Sequence, residues 1–108
     1  MNKFEAVLLL SPDLSTPLLT KEEKSFENNI ESSKGKIISV EDWGIRDLSF
    51  NINNYKKAFY KFYQIEMLGE KIQDIKKILT QNEKILRHLF IKVQEHQQLP
   101  SKMINEEK

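Results

Sequence analysis

Lys36-Ile37-Ile38-Ser39-Val40-Glu41-Asp42-Trp43-Gly44-Ile45-Arg46-Asp47-Leu48-Ser49-Phe50-Asn51-Ile52 reads as one long β-strand with a break in it. Ile38 and Val40 set one apolar alternation, and Leu48, Phe50 and Ile52 set another. A period of two is the mark of a strand with one buried face. Trp43-Gly44 stands between the two halves. A glycine inside a strand marks a bulge or a close backbone approach.

The flanks supply the other elements. Upstream, Phe4–Leu10 is a short apolar run closed by Ser11-Pro12-Asp13, as expected of a buried strand. A helix follows, with Thr16 as its cap and Pro17 at its first position, where a missing N–H leaves nothing unpaired. Leu19, Phe26 and Ile30 form its apolar stripe, and Gly35 is placed to end it in a left-handed cap. Downstream, Asn51–Lys57 reads as a polar turn and Ala58–Met67 as the next strand. Gly69-Glu70 opens a second helix, with Ile72, Ile75 and Leu79 at i, i+3 and i+7. Ile85–Val93 is the last strand. The order is βαββαβ. It predicts an α+β, ferredoxin-like sandwich, with a four-stranded antiparallel sheet and two helices on one face. Residues 1–93 form the domain, and residues 94–108 read as a flexible C-terminal tail.

Such a sandwich leaves one sheet face without helices. In Ala58–Met67, Phe59 and Tyr63 fall on one side while Tyr60 and Phe62 fall on the other. One set packs on the helices. The other is expected to form an aromatic binding surface.

Composition narrows the function. The chain has 108 residues, enough for one domain. It has no cysteine, which removes disulfides, thiolate metal sites and a cysteine nucleophile. Its longest apolar run, Ala6–Leu10, is far short of a membrane span, and the acid Glu5 argues against a signal peptide. Lys and Arg number 17 against 16 Asp and Glu, a balance of +1 without the basic excess of a free-standing duplex-DNA binder. Only Arg46 and Arg87 are arginines, the better bidentate phosphate ligands. His88 and His96 have no flanking ligand pattern, adjacent Glu41 and Asp42 point to opposite strand faces, and the three glycines are not spaced to cradle a phosphate. No cofactor, metal site or small-molecule substrate is expected. From the residues alone, a small enzyme or ligand-binding domain, or a protein-interaction module, on this fold stays open. An RNA-recognition motif fits poorly, because Lys61 stands where its second stacking aromatic belongs.

Glu41-Asp42-Trp43-Gly44-Ile45-Arg46-Asp47-Leu48-Ser49-Phe50-Asn51-Ile52 resembles the second-strand signature of the bacterial small-subunit ribosomal protein six family, W-G-R-R-x-L-A-Y-P-I. Lys3-Phe4-Glu5 is similar to that family's basic-Tyr-Glu start, and Asn82–Val93 to its last strand. The resemblance runs from Met1 to about Val93. It implies a non-enzymatic, cytoplasmic component of the ribosome. Such a component binds the central domain of small-subunit rRNA as a pair with small-subunit ribosomal protein eighteen. Candidate RNA contacts are Lys3, Trp43, Arg46, Lys56, Lys57, Arg87 and Lys92, with Arg46 as a phosphate fork and Trp43 as a stacking surface or a plug over the bent strand. Candidate contacts with the partner protein are Phe59, Tyr60, Leu99 and Met103. The sequence departs from the family pattern at Ile45, Asp47, Phe50 and Asn51. Losing an Arg and gaining an Asp weakens the local positive charge, so RNA affinity is expected to lean on the protein partner.

Overall fold

The structure, a computed structural model, describes residues 2–52 and 54–96. Its elements are β1 (Asn2–Leu10), α1 (Thr16–Ser32), β2 (Lys36–Ile52), β3 (Tyr55–Met67), a single 3-10 turn at Gly69–Lys71, α2 (Ile72–Gln81) and β4 (Ile85–Val93). The four strands form one antiparallel sheet in the order β2-β3-β1-β4. The βαββαβ reading therefore holds, with β2 and β4 at the edges.

β1 is central and covered on both faces, which is why its sequence reads as a continuous apolar run. Phe4, Ala6, Leu8 and Leu10 point to the helices and join Phe26 and Ile30 of α1 with Ile72, Ile75 and Leu79 of α2. Tyr63, Ile65 and Met67 complete that core from β3, and Phe26 packs 4.7 Å from the Tyr63 ring centre. Burial raises the Tyr63 hydroxyl above its ordinary value, and the charges of Glu23, Glu27 and Asp42 add to it.

Three local expectations change. Thr16 is the first residue of α1 and not its cap; Ser15 holds the cap position, with no side-chain cap hydrogen bond. The polar turn expected over Asn51–Lys57 is far tighter: β2 runs to Ile52 and β3 begins at Tyr55, with Asn54 left-handed at φ 70°. The hairpin is long because Ile52 still pairs with Tyr55 at its tip. The left-handed residue after α1 is Lys34, at φ 62°, and not Gly35. Gly35 serves close packing instead. A Cβ there would lie 2.9 Å from both Ile30 Cγ2 and Met67 Cβ.

Candidate functional site

The second sheet face is not bare. Trp43 sits at the break in β2, where Gly44 takes φ +72° and the β2–β3 register shifts between Asp42 and Gly44. The Asp42 carboxylate accepts the Gly44 N–H at 2.8 Å, fixing the bend. The bend turns the indole onto the sheet, stacked on Phe62 and Tyr60 at centroid distances of 5.5 and 6.1 Å. The indole N–H donates to Glu41 at 2.6 Å. With Val7, Leu9 and Ala58 these rings make a second, smaller core.

This corrects the expectation of an exposed aromatic patch. Tyr60 is 5% exposed and Phe62 is fully buried, because Trp43 covers them. The exposed apolar groups of this face are Phe50, at 60%, and Leu89, at 50%. They border a groove of about 330 Å³ lined by Val7, Leu9, Trp43, Leu48, Tyr60 and Arg87 among others. The far half of β2, from Leu48 to Ile52, arches over the sheet and forms one wall. β4 forms the other.

The candidate RNA residues are not all brought together. Lys3, Arg46 and Arg87 share the groove face by register, opposite Glu66, Ala58 and Leu9 respectively. Arg46 is half-buried; its guanidinium lies 5.8 Å over the Trp43 ring and its Nε donates to the Trp43 carbonyl. Lys56 is exposed near the hairpin tip, and Lys57 pairs loosely with Asp47 at 3.9 Å. Lys92 sits opposite Phe4, on the helix-bearing side. Trp43 is 7% exposed and offers no free ring face.

The two described partner-contact candidates also separate. Tyr60 lines the groove, while Phe59 packs on the helix-side core. Leu99 and Met103 lie outside the described residues.

Sequence reasoning missed Leu89, Glu5 and His96 as features of this face. β4 is apolar on both alternations, which was the available signal for Leu89. Glu5 is an acid inside an apolar strand, and it is 5% exposed on the groove face. Gln64 donates to it at 3.2 Å, and His96 lies over it at 3.8 Å.

No described helix is long and apolar enough to cross a membrane, and no described cluster of His, Asp and Glu has the makings of a metal site. The architecture is a ferredoxin-like sandwich whose helix-free face presents an apolar groove with arginines at its margins. That is the form of a macromolecular binding module. The sequence profile of the family described as ribosomal protein S6 matches residues 3–92. Relatives named small ribosomal subunit protein bS6 include that of Zymomonas mobilis, 30% identical over 104 residues, covering 96% of this chain and 84% of that protein. Another, from Bartonella bacilliformis, is 31% identical over 105 residues, covering 97% and 77%. The crystal structure of 30S ribosomal protein S6 from Thermotoga maritima superposes with a TM-score of 0.81 at 19% identity, over 85% of this chain and 87% of that one, so the fold is shared. The chain belongs to the ribosomal protein S6 family, a family of structural ribosomal components and not of enzymes.

Proposed function

We propose that this chain is built into the small ribosomal subunit by binding the central domain of small-subunit rRNA as a pair with small-subunit ribosomal protein eighteen. In bacteria that particle is cytoplasmic. Family membership gives the setting. The observation that supports a paired mode of binding is the groove, an apolar concavity walled by Leu48, Phe50 and Leu89 on a face the helices do not cover. Groups of that kind are normally withdrawn from water by a protein partner.

Charge supports the same division of labour. Arg46 and Arg87 are the groups suited to bidentate phosphate contact. Lys3 and Lys56 add point charges on or near the same face, and Lys57 and Lys92 fit longer-range contacts. Trp43 acts by setting the position of Arg46, not by stacking on a base. The groove rim meets the protein partner, as Leu99 and Met103 would from the tail, and Tyr60 supports the groove from beneath Trp43. Phe59 acts through the core behind that surface.

A filter-binding titration against a central-domain rRNA fragment tests this. Binding is expected only when small-subunit ribosomal protein eighteen is present, with a shallow salt dependence. Tight binding by the isolated chain with a steep salt slope would refute the paired mode. No binding in either arm, with the protein folded, would refute the RNA reading.

A further inference from the structure

The two edges of the sheet are built differently. An unpaired edge strand is a template for another strand unless something interrupts it. β2 is interrupted. Its register against β3 shifts between Ile37 and Ser39, between Asp42 and Gly44, and between Asp47 and Ile52. Glu41, Asp42, Arg46 and Asp47 add charge along the same stretch. β4 is not interrupted. From Arg87 to Val93 it runs in unbroken register with β1, and it holds no Pro or Gly. Among the described residues, no strand pairs with its outer edge. Leu86, Phe90, Ile91 and Val93 are only half-buried, and Leu89 is 50% exposed.

We propose that β4 pairs with β4 of a second copy of this chain, antiparallel, with Leu89 opposite Leu89 on the two-fold axis. The occupant follows from self-complementarity. In that register Ile85 meets Val93, His88 meets Phe90 and Leu86 meets Lys92, so no cation stands opposite another. Arg87 meets Ile91 of the second copy, and Glu5 of that copy stands next in the same row. The neighbouring registers are worse. An axis at His88 sets Lys92 opposite Lys84. An axis at Phe90 sets Lys92 opposite His88 and puts Arg87 opposite Val93, in the row of Lys3. Like charges directly opposite destabilise a pair of strands. Charge therefore selects the Leu89 axis, and the same axis withdraws the most exposed apolar side chain of β4 from water.

The pairing concerns the free chain and needs neither RNA nor protein partner. One pair of strands is a small contact beside the roughly 1,600 Å² of a standard interface, so the dimer forms and dissociates with concentration. Thiol cross-linking of the full chain reads the register, because the chain has no cysteine of its own. Residues directly opposite in an antiparallel pair have Cα atoms about 4.5–5.5 Å apart, within the span of a disulfide. Leu89→Cys is expected to form a disulfide dimer under mild oxidation at least about tenfold faster than Ile91→Cys, since thiols held opposite each other have a high effective concentration. Ile91 shares the strand and the face, but the register puts Arg87 opposite it. Equal rates at the two positions, or faster linking of Ile91→Cys, would overturn the proposal.

Sedimentation at the concentration of the cross-linking supplies a second readout. The parent chain is expected to shift from monomer toward dimer as concentration rises. Leu89→Lys, which puts a charge at the centre of the edge, is expected to stay monomeric. Position 89 is half-exposed, so the lysine does not enter the core, and circular dichroism confirms that both chains are folded. A parent that stays monomeric, or a Leu89→Lys chain that dimerises as readily as the parent, would overturn the pairing.

Discussion

The Arg87 guanidinium lies 5.5 Å over the Phe50 ring, although β4 and β2 are the opposite edges of the sheet. The contact exists because the β2–β3 hairpin arches across the helix-free face. It links the two walls of the groove without filling it.

An exposed cation–π pair contributes about 0.5–1 kcal/mol. The Phe50→Ala and Arg87→Ala variants are therefore expected to melt within a few degrees of the parent. Their affinity for the protein partner is expected to fall much more, because both groups stand at the groove rim. Thermal denaturation beside a partner titration separates the two. A large loss of stability with unchanged affinity would make the pair a structural strut only.

Trp43 behaves in the opposite way. Its indole covers Tyr60 and Phe62 and hydrogen-bonds to Glu41. Trp43→Ala is expected to cost about 3–5 kcal/mol in urea denaturation, the range for large buried aromatics. Trp43→Phe retains most of the cover and costs less. A stacking residue for RNA would show the reverse, with little lost in stability and much in RNA affinity.

Much of this fold is legible in the sequence, and the failures have a common cause. The strand and helix order follows from apolar period alone. The break at Trp43-Gly44 was visible too, because a left-handed backbone favours glycine. The destination of the indole was half visible: a stacking surface and a plug over the bent strand both stood open, and the packing on Tyr60 and Phe62 makes it the plug. A bulge shifts which face the next side chain takes, and the local Asp42–Gly44 hydrogen bond that fixes it forms only once the backbone bends there. The same holds for the basic residues. Alternation puts Arg87 and Lys92 on opposite faces of β4, but only the register with Leu9 and Phe4 tells which of the two faces the groove.

Gly35 shows how a local rule is displaced by packing. The usual left-handed helix end is taken by Lys34, while Gly35 admits Ile30 and Met67 at 2.9 Å from where its Cβ would be. Gly35→Ala is expected to cost about 1–3 kcal/mol through overpacking. Lys34→Gly is expected to stabilise slightly, by roughly 0.5 kcal/mol, since relief of the left-handed strain outweighs glycine's added chain entropy. Chemical denaturation of the two variants checks both signs. A harmless Gly35→Ala would show that the close approach relaxes freely.

His88 gives a pH dependence near neutrality. Burial first, and the Lys76 charge second, hold its imidazole below 6.5. Around it stand Lys76 and Thr80 of α2, Phe90 of β4 and Leu8 of β1. A depressed histidine favours the unfolded chain once the unfolded state takes up its proton. Stability is therefore expected to decline as pH falls from about 6.5 toward the folded value, then to level for this group. His88→Gln removes that component of the slope. An identical slope in the variant would assign the dependence to other groups.

Lys61 produces dependences at both ends of the pH scale. It is 7% exposed and lies on the helix side, bridging Glu23 of α1 and, at 2.8 Å, Asp42 of β2. Burial lowers the Lys61 ammonium, but the hydrogen bonds and charges of Asp42 and Glu23 outweigh it and raise the group above 10.5. Burial raises the Asp42 carboxyl, but Lys61 and the Gly44 N–H outweigh it and hold the group below 3.8. The Asp42 contribution is thus present above pH 3.8 and lost as pH falls through its folded value. The Lys61 contribution is full below pH 10.5 and lost as pH rises through its folded value. Lys61→Met leaves Glu23 without its cation and is expected to cost about 3 kcal/mol. Adding Glu23→Leu replaces the ion pair by an apolar one, recovers most of the loss and flattens both limbs. Equilibrium unfolding across pH measures this. A double variant as unstable as Lys61→Met alone would show that the lysine stem, and not the charge pairing, joins α1 to the sheet.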